Sequence, residues 1–306
     1  MTDEELPELP RGIALAWGVA ANPQRGPKRE MSVERIVETA VELADAEGIG
    51  AVSMAAVAAK LGFTPMSLYR YVSAKDDLLL LMQEEATGVP PEDVREHEGW
   101  RDRLRALFEA QVLIYLRHPW ILSLPITGSP ITPNSSAWIE AGLEALADTP
   151  LSETERLAVA LAMTGQARWY GMVIAGYSEQ ARSTGLTPDE VTAREAALFD
   201  RVIAAEEYPH LRRAIDAGVF MDERDPFRFA TERLLDGIGM YIDGLAGGRE
   251  AAPAQEWLGI DPAEIAGDKR YREAQKAVRE AEKALRAARK QERQALKDAH
   301  ERMTRN

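Results

Sequence analysis

Between residues 32 and 82, apolar side chains recur at three- and four-residue steps, interrupted by capping residues and glycines. Ile36, Val37, Ala40, Leu43 and Ala44 make one stripe of a first helix. It opens at Ser32, a good N-cap, and stops at Gly48 and Gly50. A second helix starts after Ser53 and carries Met54, Val57, Ala58 and Leu61, with Gly62 where a left-handed C-cap belongs. Thr64 then caps a third helix with Pro65 at its first position. Ser73 opens a fourth, with Asp76 in capping-box position. The run 78–82 makes that helix apolar on more than one side, as expected of a helix buried between two modules.

From about residue 99 to 250 the pattern is again helical. One helix runs from Trp100 through Leu107 and Val112 to His118, where Pro119 ends it. The stretch 119–134, with four prolines and a glycine, reads as irregular. A helix resumes through Trp138 and Leu146, and Ser152 and Glu155 form a capping box for a long one past Trp169 and Met172. Further helices are predicted within 187–207 and from Asp225 to Gly247. Residues 269–303 hold neither Pro nor Gly and are predicted as one helix of about 50 Å. Tyr271, Val278 and Leu285 repeat there every seven residues, a thin heptad.

The pattern divides the 306 residues into an N-terminal arm (1–30), a helix-turn-helix domain (31–78), a helical domain (79–250) and a charged C-terminal helix (267–306). The fold class is all-α. Net charge of −13 argues superficially against nucleic acid, but a few basic residues on one face suffice for DNA. Residues 267–306 hold thirteen Lys and Arg against seven Asp and Glu, a net of +6, which leaves the first 266 at −19. That tail could pack on the acidic remainder, add backbone contacts to DNA, or reinforce a dimer. With no cysteine, disulfides and thiolate chemistry are excluded. Neither a glycine-rich phosphate loop nor a His-Glu-x-x-His site occurs, so an enzyme is not expected, nor a metal or cofactor. No apolar run is long enough to span a membrane and no secretory leader is evident, so the chain is read as cytoplasmic.

Two helices joined by a short turn at Gly62 make a helix-turn-helix, whose second helix offers its N-terminal end to the major groove. Thr64, Pro65, Met66, Ser67 and Tyr69 are the base-facing candidates, with Leu68 pointing inward. Thr64 and Ser67 can bond base edges, and Pro65 and Met66 can touch thymine methyls. Tyr71 and Lys75 are assigned to phosphate, Arg70 to base or phosphate, and Ser53, at the cap of the bracing helix, is a further DNA-contact candidate. One of the tyrosines could instead anchor the fourth helix. In the arm, Arg25, Lys28 and Arg29 could reach a narrow minor groove, or the arm could be a disordered N-terminal extension of the first helix.

The stretch IVETAVELADAEGIGAVSMAAVAAKLGFTPMSLYRYVSAKDDLLLLM resembles the DNA-binding domain of the TetR family of bacterial repressors. The order is specific: an alanine-rich helix ending at Glu47-Gly48, then Ser53 to Gly62, then the run from Ser67 to Val72, then Lys75-Asp76-Asp77-Leu78. Val72 stands where family members often carry phenylalanine, a mild departure. The resemblance implies an omega-shaped homodimer whose shared four-helix bundle comes from the helices near 152–175 and 226–246. It implies base contacts at Thr64, Pro65, Met66 and Tyr69 and phosphate contacts at Tyr71 and Lys75. The C-terminal region resembles the tetracycline-repressor-like branch, without a recognisable Mg²⁺-tetracycline site.

These readings predict a transcription repressor on palindromic double-stranded operator DNA, released by a small hydrophobic or aromatic effector. The alternative is a non-enzymatic helical interaction protein whose helix-turn-helix is structural. Pockets of this kind are mostly apolar with a few polar groups. Phe108, Gln111, Tyr115, His118, Trp120, Trp138, Gln166, Trp169 and Tyr170 are the candidate ligand contacts. Asn134 and Arg168 could add polarity, and the irregular 119–136 segment could form a wall or lid.

Overall fold

A computed structural model describes residues 9–19, 31–126, 131–222, 224–251, 265 and 267–304. Among these residues the chain is helical, with no β-strand. It forms two compact units, residues 1–249 and 250–306. The arm's Arg25, Lys28 and Arg29 lie outside the described residues.

In the first unit, α2 (Val33–Glu47), α3 (Met54–Leu61) and α4 (Pro65–Leu68) form the N-terminal bundle, and α5 (Lys75–Thr87) closes it. The caps explain these boundaries. Ser32 Oγ accepts from Arg35 N, and Ser53 Oγ accepts from Ala56 N, each satisfying an N–H that a helix start leaves open. Gly62 ends α3 at φ +77°, a conformation that costs side-chain-bearing residues energy. Ile36, Val57, Leu68, Val72, Leu78 and Met82 are fully buried between these helices, each contributing about 1.5–3 kcal/mol.

The start of α5 departs from expectation. Its cap position is Ala74, and Ser73 Oγ donates to Asp77 Oδ2 at 3.0 Å, so no Ser73–Asp76 capping box forms. The apolar run of α5 divides as its all-round hydrophobicity requires. Leu78, Leu81 and Met82 enter the N-terminal core, while Leu80 faces a cavity in the neighbouring module. Because α5 is continuous, a boundary at 78/79 would cut through a helix that both modules use.

Beyond it lie α6 (Gly99–Arg117), α7 (Pro133–Ala145), α8 (Glu153–Thr184), α9 (Pro188–Val202), α10 (Pro209–Asp216) and α11 (Pro226–Ala246). The capping box of Ser152 and Glu155 starts the 32-residue α8, and Asp225 caps α11 by accepting from Phe227 N and Arg228 N. Two glycines let helices approach closely. A Cβ at Gly171 would fall 2.8 Å from Tyr115 Cβ, where α8 crosses α6. One at Gly142 would fall 2.8 Å from Ala160 Cβ, where α7 meets α8.

Helices α8 and α11 run antiparallel: Tyr241 OH donates to Glu155 Oε1 near one end, and Tyr170 OH donates to Asp225 Oδ2 near the other. Arg101 and Arg105 of α6 clasp Glu232 and Asp236 of α11. Arg105, helped by Arg101, holds the Glu232 carboxyl down at about 2.

The arm contains a short helix, α1 (Arg11–Ala16), that packs against α5. In the second unit, α12 (Lys269–Thr304) is a single helix on which Tyr271, Val278 and Leu285 are exposed.

Candidate functional site

Helix α4 projects from the N-terminal bundle because only one of its side chains is fully held. Leu68 is buried, whereas Met66 is 74% exposed and Tyr69 45% exposed, and Thr64, Pro65 and Arg70 are exposed beside them. Thr64 occupies the cap position, but its Oγ1 bonds Ser67 Oγ at 3.0 Å and not the helix backbone. The two hydroxyls thus sit together at the outer end of α4, with lone pairs and a proton available to base edges. An apolar thioether and a phenol flank them, groups that can touch a thymine methyl and bond a base edge.

The fold holds two of the DNA-contact candidates, Tyr71 and Ser53. Tyr71 lies in the core, 7% exposed, because the chain turns inward after Arg70: Tyr71 N and Val72 N both donate to Leu68 O. Its ring is an anchor under α4, and Lys75, fully on the surface at the start of α5, is the exposed partner of that pair. Ser53 uses its hydroxyl as the α3 cap, where it fixes the bracing helix.

A cavity of about 410 Å³ lies beneath α5, between α6, α7 and α8 and the segment 121–126. Its walls are mainly apolar, with Leu80, Ile114, Ile121, Leu124, Trp138 and Ile139 among them. Gln111, Thr164, Tyr115 and Arg168 supply polarity. Arg168 is the one charged side chain among the lining residues. It donates to the carbonyls of Leu122 and Leu124, tying α8 to the irregular wall. Burial pushes the Tyr115 hydroxyl up, with Arg168 opposing, so that phenol stays neutral and can donate. Gln111 Nε2 donates to Thr164 Oγ1, while Gln111 Oε1 is buried without a partner. An unmet acceptor in a cavity wall is a ready contact for a ligand hydroxyl.

Of the sequence-predicted ligand contacts, Gln111, Tyr115 and Trp138 line this cavity. The others lie elsewhere. Phe108 stacks on Tyr170 and Tyr170 on Phe227, forming the core where α6, α8 and α11 meet. Gln166 donates to Thr231 across the same helix pair, and Trp169 is 54% exposed on the outer side of α8. His118 and Trp120 point to the DNA-binding module. His118 Nδ1 lies 2.8 Å from Asp45 Oδ1, and Trp120 Nε1 donates to the same oxygen at 2.7 Å. Asp45 is on α2, so these residues clasp the two modules together. The short 3₁₀ turn that carries Trp120, Pro119–Ser123, also contributes Ile121 to the lining.

The sequence reading missed Ile13 and Leu80 as wall residues. For Leu80 the signal was present, since an all-apolar helix between two modules must offer one face to the second. Asn134 serves structure, donating from N and Nδ2 to Glu84 and so fixing the start of α7 on α5.

An exposed helix-turn-helix face joined through one helix to a module with a ligand-sized cavity defines a class: DNA-reading proteins with a built-in sensor domain. Residues 36–82 match the family of bacterial regulatory proteins designated tetR, and residues 92–242 match the tetracyclin repressor-like C-terminal domain. The chain is 32% identical to the transcriptional repressor DrrR1 of Streptomyces coeruleorubidus over 248 residues, 80% of this chain and 90% of that protein. In fold it is similar to ActR of Streptomyces coelicolor. The complex of ActR with (S)-DNPA gives a TM-score of 0.56 at 20% identity, covering 70% of this chain and all of that one. The ActR complex with actinorhodin gives 0.55 at 22% identity, covering 74% and all of that chain. The protein belongs to the TetR family of non-enzymatic, DNA-binding transcription regulators.

Proposed function

We propose that the protein is a homodimeric cytoplasmic repressor of a palindromic operator, released when a small, largely apolar and aromatic molecule fills the cavity under α5. The observation that carries this reading is α5 itself. One helix follows the base-reading segment directly and, through Leu80, Gln83 and Thr87, lines the cavity. A ligand that favours a different α5 position would shift the spacing of two recognition helices, which must match successive grooves. The clasp of His118 and Trp120 on Asp45 gives a second route from cavity wall to α2. The name of DrrR1 supports repression, and the complexes of ActR, a protein of similar fold, with (S)-DNPA and with actinorhodin support a ligand in this module. With Arg168 the one charged lining residue, the cavity favours a neutral or anionic ring system carrying hydroxyls.

The dimer face we assign is the outer side of α8 and α11. On α8, Leu157, Trp169 and Met172 are exposed; on α11, Phe229 and Met240 are, at 66% and 76%. A Cβ at Gly165 or Gly237 on these helices would meet nothing within 4 Å, so another backbone can come close. Exposed apolar groups at helical spacing along two antiparallel helices need a partner surface, and a second copy supplies a four-helix bundle. Sedimentation velocity of wild type against Phe229→Asp and Met240→Asp tests this, alongside DNA retention by gel shift. Wild type should run as a dimer, and the variants as folded monomers that no longer hold DNA specifically. Dimers of unchanged strength in both variants would contradict the assignment.

A further inference from the structure

The arm's apolar run IALAWGV, residues 13–19, supplies most of α1 and the turn that follows it. A six-residue helix has no stability of its own, so α1 exists because of what it touches. Three contacts fix it. Gly12 N donates to Asp77 Oδ1 at 3.0 Å. Trp17 Nε1 donates to the carbonyl of Ile131 at 2.8 Å, just before α7. Ile13, between them, lines the cavity opposite α7 and α8. The fit on α5 is close: a Cβ at Gly12 would lie 2.9 Å from Asp77 Oδ1 and 2.9 Å from Leu80 Cδ2.

We propose that residues 9–19 are a strap of the effector site, completing the cavity with Ile13 and bridging its mouth from α5 to the start of α7. This rests on the cavity being the effector site and adds a wall contributed by the N-terminal segment. The strap reports to the DNA-reading end through one carboxylate. Asp77 stands in the first turn of α5, and its second oxygen accepts from Ser73 in the turn that follows α4. A ligand beneath Ile13 seals the strap and steadies the Gly12–Asp77 bond. The ligand class is an aromatic acid or phenol, whose anionic or hydroxyl group Arg168 can meet while its ring faces apolar residues such as Ile13.

Hydrogen exchange on the full-length protein, with and without saturating 1-anilinonaphthalene-8-sulfonate, tests this. That probe is a fused-ring anion of the right class. Expected is slowed exchange on probe binding both in 9–19 and in the cavity peptides 111–126 and 135–139. Slowing in the cavity peptides but not in 9–19 overturns the strap and leaves the cavity reading intact. No slowing in any of them overturns both. The substitution Gly12→Val gives an independent check, because it should undock α1 without touching the helical core. Its circular dichroism should match wild type, exchange in 9–19 should reach unfolded-chain rates, and probe affinity should fall roughly tenfold through loss of one apolar wall. Unchanged affinity with α1 undocked would overturn the proposal.

Discussion

Replacing Asp45 by alanine removes the acceptor shared by His118 and Trp120. The Trp120 side chain is 4% exposed, so its indole N–H would be left in the core without a partner. An unmet buried donor costs about 1–3 kcal/mol, and bonds to a charged acceptor lie toward the upper part of that range. Asp45 itself is partly exposed, with a third of its side chain in solvent, so water recovers part of the loss. A net destabilisation of about 2 kcal/mol follows. In a unit of this size that lowers Tm by roughly 4–8 °C. Asp45→Asn keeps an acceptor oxygen and should lose less than half as much. Differential scanning calorimetry of the three proteins makes the comparison. If Asp45→Ala melts within about 1 °C of wild type, the clasp contributes nothing and cannot couple cavity to α2.

Other consequences can be measured. Tyr69→Ala should cost about 1–3 kcal/mol of operator affinity with little effect on non-specific binding, and Lys75→Ala should reduce the salt dependence of binding by about one unit of slope. Tyr71→Ala should act first on stability, seen as a lower Tm, since its ring is buried. Gly171→Ala sets a helix-propensity gain of about 1 kcal/mol against a contact 2.8 Å from Tyr115 Cβ. Overpacking of about 1–3 kcal/mol should win, whereas Gly176→Ala, which meets open space, should be stabilising. Glu232 has its carboxyl held at about 2 against an ordinary 4.5, so its contribution is full above pH 4.5 and drains as pH falls toward 2. After allowance for its partial exposure, Glu232→Gln should cost about 1 kcal/mol at pH 7 and almost nothing at pH 2 in thermal melts.

Local signals in the chain were legible because caps and glycines act on their own neighbours. Ser32, Ser53, Gly62, the Ser152–Glu155 box and Asp225 each sit where the sequence places them. The Ser73 cap failed by one residue because Asp77, and not Asp76, is the partner within reach. The cavity was harder to read. Phe108 and Tyr115 share a face of α6, but about 10 Å of helix separates them. At the first position α11 closes the core, and at the second the space stays open. On α8, Gln166 and Tyr170 turn to α11 while Thr164 and Arg168 turn to the cavity. Periodicity gives the faces of a helix, but not which neighbour covers each one. Tyr71, His118 and Trp120 show the same lesson, since an aromatic in a promising place becomes an anchor when a core forms around it.

Selection of bound duplexes from a random library by the purified full-length protein, at moderate salt, tests the central claim most directly. A palindromic motif whose half-sites are spaced by whole helical turns is expected, and its loss in Tyr69→Ala. Binding that enriches no sequence and merely fades as salt rises would contradict it, because phosphate contacts alone would then explain the association.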